Sequence, residues 1–173
     1  ASSSRPPDID SLKRCMPVVL RRAHPRDADV LSKLALRAKG YRGYDAEFLE
    51  ACRDELTLTS EEIRYPGFHA TVAEGGDAVA GYYALRTTGP DCCELEALFV
   101  DPPWIGTGIG RRLLDHARDL ARALGAERMN VQSDPGAVRF YTRAGARVIG
   151  FEPSGSIPGR DLPVLEFVLQ DSS

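Results

Sequence analysis

The chain has 173 residues, of which 43% are hydrophobic and 27% charged, and its formal net charge is −3. This length and composition predict one soluble globular domain with a substantial core. The slightly acidic balance disfavours nucleic acid and anionic membranes as partners, and no apolar run approaches the roughly 18 residues of a membrane span.

The start of the chain and its cysteines bear on location. Residues 1–15 are polar, contain prolines and lack the apolar segment of a signal peptide, so we expect a disordered tail before a single domain over residues 16–170. The four cysteines have no paired spacing, and the three histidines are scattered. This pattern predicts reduced thiols, a cytoplasmic protein and no metal site.

The first part of the domain predicts a short strand followed by two helices. Residues 18–22 (VVLRR) form the strand, and Asp27 is placed to cap a helix that ends near Arg37. An irregular aromatic link over residues 40–44 then leads to a second helix, which ends near Leu56.

A meander of three antiparallel strands is expected next. Residues 69–74 and 78–86 alternate in the manner of strands, and the GGD sequence between them is a tight hairpin signal. A turn at residues 89–91 leads to the third strand, over residues 93–100.

The stretch LEALFVDPPWIGTGIG, residues 95–110, is the most informative part of the chain. An apolar strand stops at Asp101, three glycines then alternate, and an amphipathic helix begins at once. This order leaves bare backbone N–H groups at the positive end of a helix dipole, where they suit a phosphate. The sequence therefore predicts a site for a phosphorylated ligand.

The helix after this glycine loop is the clearest element, with an apolar stripe from Ile109 to Leu124 and Gly125 just past its end. The remaining elements are expected in the order strand, helix, strand, strand, over residues 128–132, 134–144, 147–151 and 164–169.

The glycine loop alone leaves several readings open. A Walker loop needs lysine and a hydroxyl residue after the last glycine, but Gly110 is followed by Arg111 and Arg112. A dinucleotide-binding loop has the spacing GxGxxG in a parallel βαβ unit, whereas here the spacing is GxGxG after antiparallel strands. A glycine-rich corner that binds nothing is the plain structural alternative.

The segments around the loop add a family resemblance. The strand ELEALFVDP, the loop GTGIGRRLL and the helix AVRFYTRAG together resemble the GCN5-related N-acetyltransferase (GNAT) superfamily. The resemblance is tightest from Glu94 to Phe151 and consistent in element order from Val18 to Leu169. It implies an α+β fold, in which a mixed, mainly antiparallel central sheet of six to seven strands has splayed central strands and about four flanking helices.

The resemblance also implies acetyl-coenzyme A (acetyl-CoA) as the cosubstrate. Its pyrophosphate would lie on the N–H groups from Ile105 to Arg111, and its pantetheine arm would pair with the open strand edge, which offers matching donors and acceptors. The coenzyme-binding residues implied in this way are Leu98, Phe99, Val100, Ile105, Gly106, Thr107, Gly108, Ile109, Gly110, Arg111, Asp134, Ala137 and Tyr141.

Three positions depart from the family's pattern. Ile105 stands where the loop usually opens with Arg or Gln, Asp134 replaces an Asn at the start of the late helix, and Ala146 replaces an aromatic residue. We expect these changes to alter coenzyme affinity without abolishing binding.

Three residues are candidates for the chemistry. Tyr141 matches the tyrosine that in many family members gives a hydrogen bond or proton to the coenzyme sulfur, with core packing as the alternative. Glu94 and Glu96 share one face of a regular strand, and regular alternation extends that face to Leu98 and Val100. Glu96 is the first choice of general base and Glu94 the second; a solvated carboxylate or a water chain is the alternative.

Acceptor contacts are expected from two variable segments that flank the cleft in the family. One is the link between the first two helices, and the other is the loop over residues 154–160 between the last strands. The predicted substrate-binding residues are Tyr41, Tyr44 and Arg160, with Arg42 and Glu47 beside them. An arginine there would suit a carboxylate or phosphate, and an ordinary surface hairpin is the alternative.

The preferred interpretation is an N-acetyltransferase that moves an acetyl group from acetyl-CoA to a primary amine of a small molecule or peptide, directly and in a ternary complex. The competing class is a non-catalytic acyl-CoA-binding sensor or interaction module. A homodimer is compatible with either.

Overall fold

The computed structural model describes residues 17–169, so the expected tail lies outside the described residues, as do both ends of the expected domain. The elements are, in chain order, β1 (Val18–Arg22), α1 (Ala28–Tyr41), α2 (Ala46–Leu56), α3 (Ser60–Arg64), β2 (Phe68–Gly75), β3 (Ala78–Thr87), β4 (Cys92–Val100), α4 (Ile109–Ala123), β5 (Arg128–Gln132), α5 (Val138–Arg143), β6 (Arg147–Pro153) and β7 (Asp161–Val168). Among the described residues, no helix is both long and apolar enough to cross a membrane.

All seven strands belong to one sheet, in the order β1-β2-β3-β4-β5-β7-β6. The expected meander is present, because β2 pairs with β3 and β3 with β4, both antiparallel. Among the described strands, only β4 and β5 are parallel, and they pair over three residue pairs, from Cys92–Arg128 to Glu94–Asn130. From Leu95 onward β4 has no partner on that side within residues 17–169, so the sheet opens at its centre. The predicted α+β fold with splayed central strands is therefore confirmed.

The two faces of the sheet carry separate cores. On one face, α4 and α5 pack against the sheet, and on the other face α1, α2 and α3 do so. The apolar stripe predicted for α4 is the centre of the first core, since Leu113 and Leu114 are fully buried. Each such leucine contributes about 2 kcal/mol through removal of its side chain from water.

The first helices differ from the expectation in two ways. Helix α1 runs on to Tyr41, and Asp27 does not cap it, because its carboxylate instead accepts hydrogen bonds from Arg21 at 2.8 Å and from the His24 N–H at 2.7 Å. Helix α3 was not expected at all. It has only five residues, too few for an apolar period to show, and a capping box between Thr59 and Glu62 begins it.

Candidate active site

The glycine loop between β4 and α4 presents free backbone donors. Gly106 and Gly108 have φ angles of +81° and +87°, a region that glycine adopts without strain. No acidic side chain lies in the first turn of α4, and no side chain from the described part of the chain caps it. Within residues 17–169, the N–H groups without a hydrogen bond in this segment are those of Gly106, Gly108, Ile109, Gly110 and Arg111.

Two residues of the predicted phosphate cradle do not offer their N–H groups. Ile105 donates to the Pro102 carbonyl at 3.2 Å, and Thr107 donates to the Trp104 carbonyl at 3.3 Å. These bonds shape the loop, and the buried Trp104 anchors it against Gly75, where a Cβ atom would lie 2.5 Å from the indole ring. The cradle predicted from Ile105 to Arg111 therefore has five donors in place of seven.

A cavity of about 470 Å³ joins this loop to the open edge of β4. Leu98, Phe99 and Val100 of that edge line it, as do Ala137 and Phe140 from the opposite side. We call it the coenzyme cavity, because free N–H groups at one end and an unpaired strand edge along its length fit a diphosphate followed by an amide-bearing arm.

A second cavity, of about 450 Å³, extends between β4 and the helices of the other face. We call it the acceptor cavity. It contains Glu94 and Tyr141, and it shares five lining residues with the coenzyme cavity. These shared residues are Arg42, Leu98, Phe99, Ala137 and Phe140. The two cavities therefore meet where β4 and β5 part.

Tyr141 combines a packed ring with an unpaired hydroxyl. The residue is 6% exposed, and its ring makes edge contacts with Phe140 and Phe167 at centroid distances of 5.1 Å and 6.3 Å. Its hydroxyl has no hydrogen bond within the described part of the chain, while the residue lines the acceptor cavity. Burial raises the pKa of Tyr141, so the hydroxyl keeps its proton at neutral pH.

Strand β4 contains a bulge that changes which side chains share a face. Leu95 and Ala97 pair with consecutive residues of β3, so Glu96, which lies between them, is the extra residue of the bulge. Beyond the bulge, Leu98 and Val100 pack in the same core as Leu95, under α4. The prediction that they share a face with Glu94 and Glu96 is therefore wrong.

The two candidate bases lie in different surroundings. Glu96 forms an ion pair with Arg86 near the surface. Glu94 is partly buried, and its burial raises the pKa of its carboxyl, as do the neighbouring charges of Glu96 and Glu152. Both carboxylates line the acceptor cavity, and the partial burial of Glu94 is the feature that favours it in the proposal below.

Asp134 is the centre of a charged network rather than a free cap. Its carboxylate accepts hydrogen bonds from the Gly136 N–H at 2.9 Å, from Tyr44 at 2.7 Å and from Lys39 at 3.0 Å. Arg160 donates to the Tyr44 hydroxyl at 2.9 Å. The network joins α1, the α1–α2 link, the start of α5 and the β6–β7 loop.

Two of the three predicted substrate-binding residues, Tyr44 and Arg160, belong to this network. Tyr44 and Arg160 are bound to each other and to Asp134, and neither lines the acceptor cavity, whereas Asp134 does. Tyr41 is 64% exposed and lines the coenzyme cavity. Of the two segments expected to contact the acceptor, the α1–α2 link lines both cavities through Arg42, whereas no residue of the loop over residues 154–160 lines either cavity.

The acceptor cavity has other walls that the sequence did not indicate. Cys52 and Leu56 of α2, Glu62 of α3, and Tyr82 and Arg86 of β3 line it. These residues looked like ordinary helix and strand positions. Their convergence depends on strand register and on α3, whose only local signal is the capping box of Thr59 and Glu62.

The amino-acid sequence is similar to those of known acetyltransferases. The profile of the acetyltransferase (GNAT) family matches residues 35–146. The N-alpha-acetyltransferase RimI of Mycobacterium tuberculosis is 33% identical over 95 residues, which are 53% of this chain and 60% of that protein. The peptidyl-lysine N-acetyltransferase YjaB of Salmonella typhimurium is 36% identical over 74 residues, 43% of this chain and 49% of that protein. The chain thus spans about half to three-fifths of the length of these relatives.

Solved structures share the whole fold at low sequence identity. The PaiA N-acetyltransferase of Thermoplasma acidophilum, in complex with coenzyme A, has a TM-score of 0.74 and 19% identity, with 88% of this chain and 99% of that chain covered. An aminoglycoside 6'-N-acetyltransferase, also complexed with coenzyme A, has a TM-score of 0.68 and 17% identity, with 90% and 99% covered. Together with the matched family profile, these findings establish that the chain belongs to the acetyltransferase (GNAT) family.

Proposed function

We propose that the chain is an N-acetyltransferase that moves an acetyl group from acetyl-CoA to a primary amine, with both substrates bound at once. The observation that carries the proposal is the junction of the coenzyme and acceptor cavities at the open edge of β4. A ternary complex needs such a junction, because the amine must reach the thioester while both substrates remain bound.

The donor half of the proposal rests on matched chemistry. The diphosphate of acetyl-CoA would accept hydrogen bonds from the free N–H groups that begin with Gly106 and end with Arg111, beside the positive end of α4. Backbone groups of Leu98 to Val100 would pair with the amides of the pantetheine arm. The thioester is the activated acyl group that the coenzyme supplies.

Glu94 would accept one proton during the reaction, and Tyr141 would donate another. The amine nitrogen forms a bond to the thioester carbonyl carbon while the carbon–sulfur bond breaks. Glu94 accepts the proton that the nitrogen loses, directly or through water, and Tyr141 gives a proton to the departing sulfur. Solvent then returns a proton to Tyr141 and takes one from Glu94, so the products are an amide and a free thiol.

The acceptor is a primary amine on a small molecule or peptide. The names of the two relatives, an N-alpha-acetyltransferase and a peptidyl-lysine N-acetyltransferase, support an amine acceptor. The acceptor cavity supports it further, because carboxylates outnumber cationic side chains on its walls by five to three and so favour an ammonium group.

Thiol release from acetyl-CoA across a panel of amines tests the proposal. We expect amine-dependent thiol release together with a matching acetylated product in the mass spectrum. If calorimetry finds coenzyme binding but no amine or peptide yields free thiol, the protein is a coenzyme-binding module and the enzymatic proposal is wrong.

A further inference from the structure

Tyr82 is a buried polar residue that the proposed reaction does not use. It lies on β3, is 2% exposed and lines the acceptor cavity. Its hydroxyl has no hydrogen bond within residues 17–169, and burial raises its pKa. The hydroxyl is not one of the fully buried polar atoms that lack a partner in the described residues, so it is open to the cavity, where a ligand can form a hydrogen bond with it.

The wall around Tyr82 carries negative charge. Glu62, which also lines the cavity, adds to the rise in the pKa of Tyr82, so its carboxylate is close enough to affect the hydroxyl. Glu55 is a further carboxylate on this wall. Of the cations that line this cavity, Lys39 and Arg42 pair with Asp134, while Arg86 pairs with Glu96 and also interacts with Glu62, which leaves Glu55 and Glu94 without an ion pair in the described residues. This part of the cavity therefore has an excess of carboxylates.

The same wall suits an alkyl chain that carries a charge. The rings of Tyr82 and Phe99 lie 5.8 Å apart with an angle of 42° between their planes. Leu56 adds an apolar surface. Aromatic faces attract methylene groups and ammonium groups alike.

We propose that Tyr82 and Glu62 form a subsite for a second cationic group of the acceptor, so that the preferred acceptor is a flexible amine with another positive charge at its far end. The subsite rests on the proposed function, since it orients the reacting amine toward Glu94. The Tyr82 hydroxyl oxygen accepts a hydrogen bond from the distal ammonium group, and Glu62 balances its charge.

The register of the sheet gives the acceptor a minimum length. Tyr82 pairs with Phe99, and Glu94 pairs with Arg86, four residues away along β3. This separation is roughly 13 Å between backbone positions, and a hydrogen bond of about 3 Å at each end of the acceptor covers part of it. A long diamine can therefore reach both groups, whereas a short diamine cannot.

The test uses three acceptors of similar length: hexanediamine, hexylamine and aminohexanoate. In the wild-type protein we expect kcat/KM to be about tenfold higher for hexanediamine than for hexylamine, because a hydrogen bond to a charged group has that effect. Aminohexanoate should be the poorest acceptor, since its carboxylate would face Glu62. Ethylenediamine should show no advantage over ethylamine.

Two substitutions and two matched controls locate the effect. Tyr82→Phe removes the hydroxyl, and Glu62→Gln removes the charge while a glutamine still serves the capping box of α3. Each should raise KM for hexanediamine by about five- to tenfold, with kcat and the KM for acetyl-CoA unchanged. Tyr83→Phe, whose hydroxyl contacts His116 on the other face, and the exposed Glu61→Gln should leave these values unchanged.

The kinetic comparisons support or overturn the subsite as follows. Equal kcat/KM for hexanediamine and hexylamine, or an equal loss for both in Tyr82→Phe, would overturn the subsite while the acetyltransferase function stands. If no amine is acetylated, calorimetric binding of hexanediamine to the protein–coenzyme A complex is measured instead. Binding that requires Tyr82 would support the subsite and leave only the catalytic proposal wrong, and absent binding would overturn the subsite as well.

Discussion

Tyr141 shows how one residue can serve packing and chemistry at once. Its ring occupies the core between Phe140 and Phe167, while its unpaired hydroxyl reaches the cavity in which the amine and the thioester would meet. The sequence predicted both roles as alternatives. The structure makes them compatible, because different atoms of the side chain carry them.

Tyr141→Phe should lower kcat on the order of a hundredfold, since it removes the proton donor for the departing sulfur. Stability should not fall, because the hydroxyl forms no hydrogen bond in the described residues and phenylalanine keeps the ring contacts. Steady-state kinetics and thermal unfolding measure the two effects. An unchanged kcat would show that Tyr141 is a packing residue only.

Glu94→Gln should lower kcat/KM and abolish the fall in kcat/KM that we expect for the wild-type protein at acidic pH. The raised pKa of Glu94 means that its carboxyl takes up a proton at a higher pH than an ordinary glutamate, and the protonated form cannot act as a base. A pH profile of kcat/KM measures this directly.

Glu96→Gln provides the matched comparison. The charge of Glu96 is one of the causes that raise the pKa of Glu94, so its removal should shift the acidic limb of the profile to lower pH without large loss of rate at neutral pH. A large loss in Glu96→Gln together with a wild-type profile in Glu94→Gln would restore Glu96 as the base.

At the scale of elements, α4 offers a controlled test of the glycine loop. Gly108 before the helix and Gly125 after it have nearly equal φ angles, +87° and +88°, and a Cβ atom at either position would meet no atom within 4 Å. Alanine at either site therefore introduces similar strain, of about 1 kcal/mol.

Gly108→Ala should weaken coenzyme A binding at least tenfold. The backbone would relax away from its positive φ angle, and the N–H groups of the cradle would then point in other directions. Gly125→Ala should bind coenzyme A like the wild-type protein, since that end of α4 lies outside the coenzyme cavity. Calorimetric titration of both variants measures the difference. Equal affinities would contradict the assignment of the loop.

The Asp134 network should contribute to stability in a pH-dependent way. Burial alone would raise the pKa of Asp134, but hydrogen bonds from Tyr44, from the Gly136 N–H and from Lys39 outweigh it and lower the pKa to about 2. The usual value is 3.8. A lowered pKa in the folded protein stabilises it above the usual value, and this stabilisation is lost as pH falls from about 4 to about 2.

Asp134→Asn should therefore reduce the free energy of unfolding by about 2 kcal/mol at neutral pH. The amide nitrogen would replace the oxygen that accepts from Tyr44 and Lys39, while the cap to Gly136 can remain. Urea unfolding at several pH values measures the loss. A difference that stays constant between pH 4 and pH 2 would contradict this account of the network.

Elements with strong local signals could be predicted from the sequence, and elements set by tertiary contacts could not. The GGD turn predicted the hairpin of β2 and β3, and the apolar stripe predicted α4. The bulge at Glu96 has no comparable signal, because it is visible only in the pairing of β4 with β3. Its omission led to the wrong face for Leu98 and Val100.

At the scale of the whole molecule, the opening in the sheet determines where chemistry can occur. The parallel contact of β4 and β5 ends after three residue pairs, and both cavities reach the resulting gap. The family resemblance predicted the gap and the donor side. The acceptor side was predicted less well, because its walls come from α2, α3 and β3, which are distant in sequence.

The most direct measurement is the amide proton and nitrogen NMR spectrum of the glycine loop, recorded with and without coenzyme A. We expect large downfield shifts for the N–H groups of Gly106, Gly108, Ile109, Gly110 and Arg111, because each gains a phosphate acceptor. Ile105 and Thr107, whose N–H groups already donate within the loop, should change little, and pantetheine alone should leave the five signals in place. If the five signals do not move when coenzyme A binds, the phosphate lies elsewhere and the central claim is wrong.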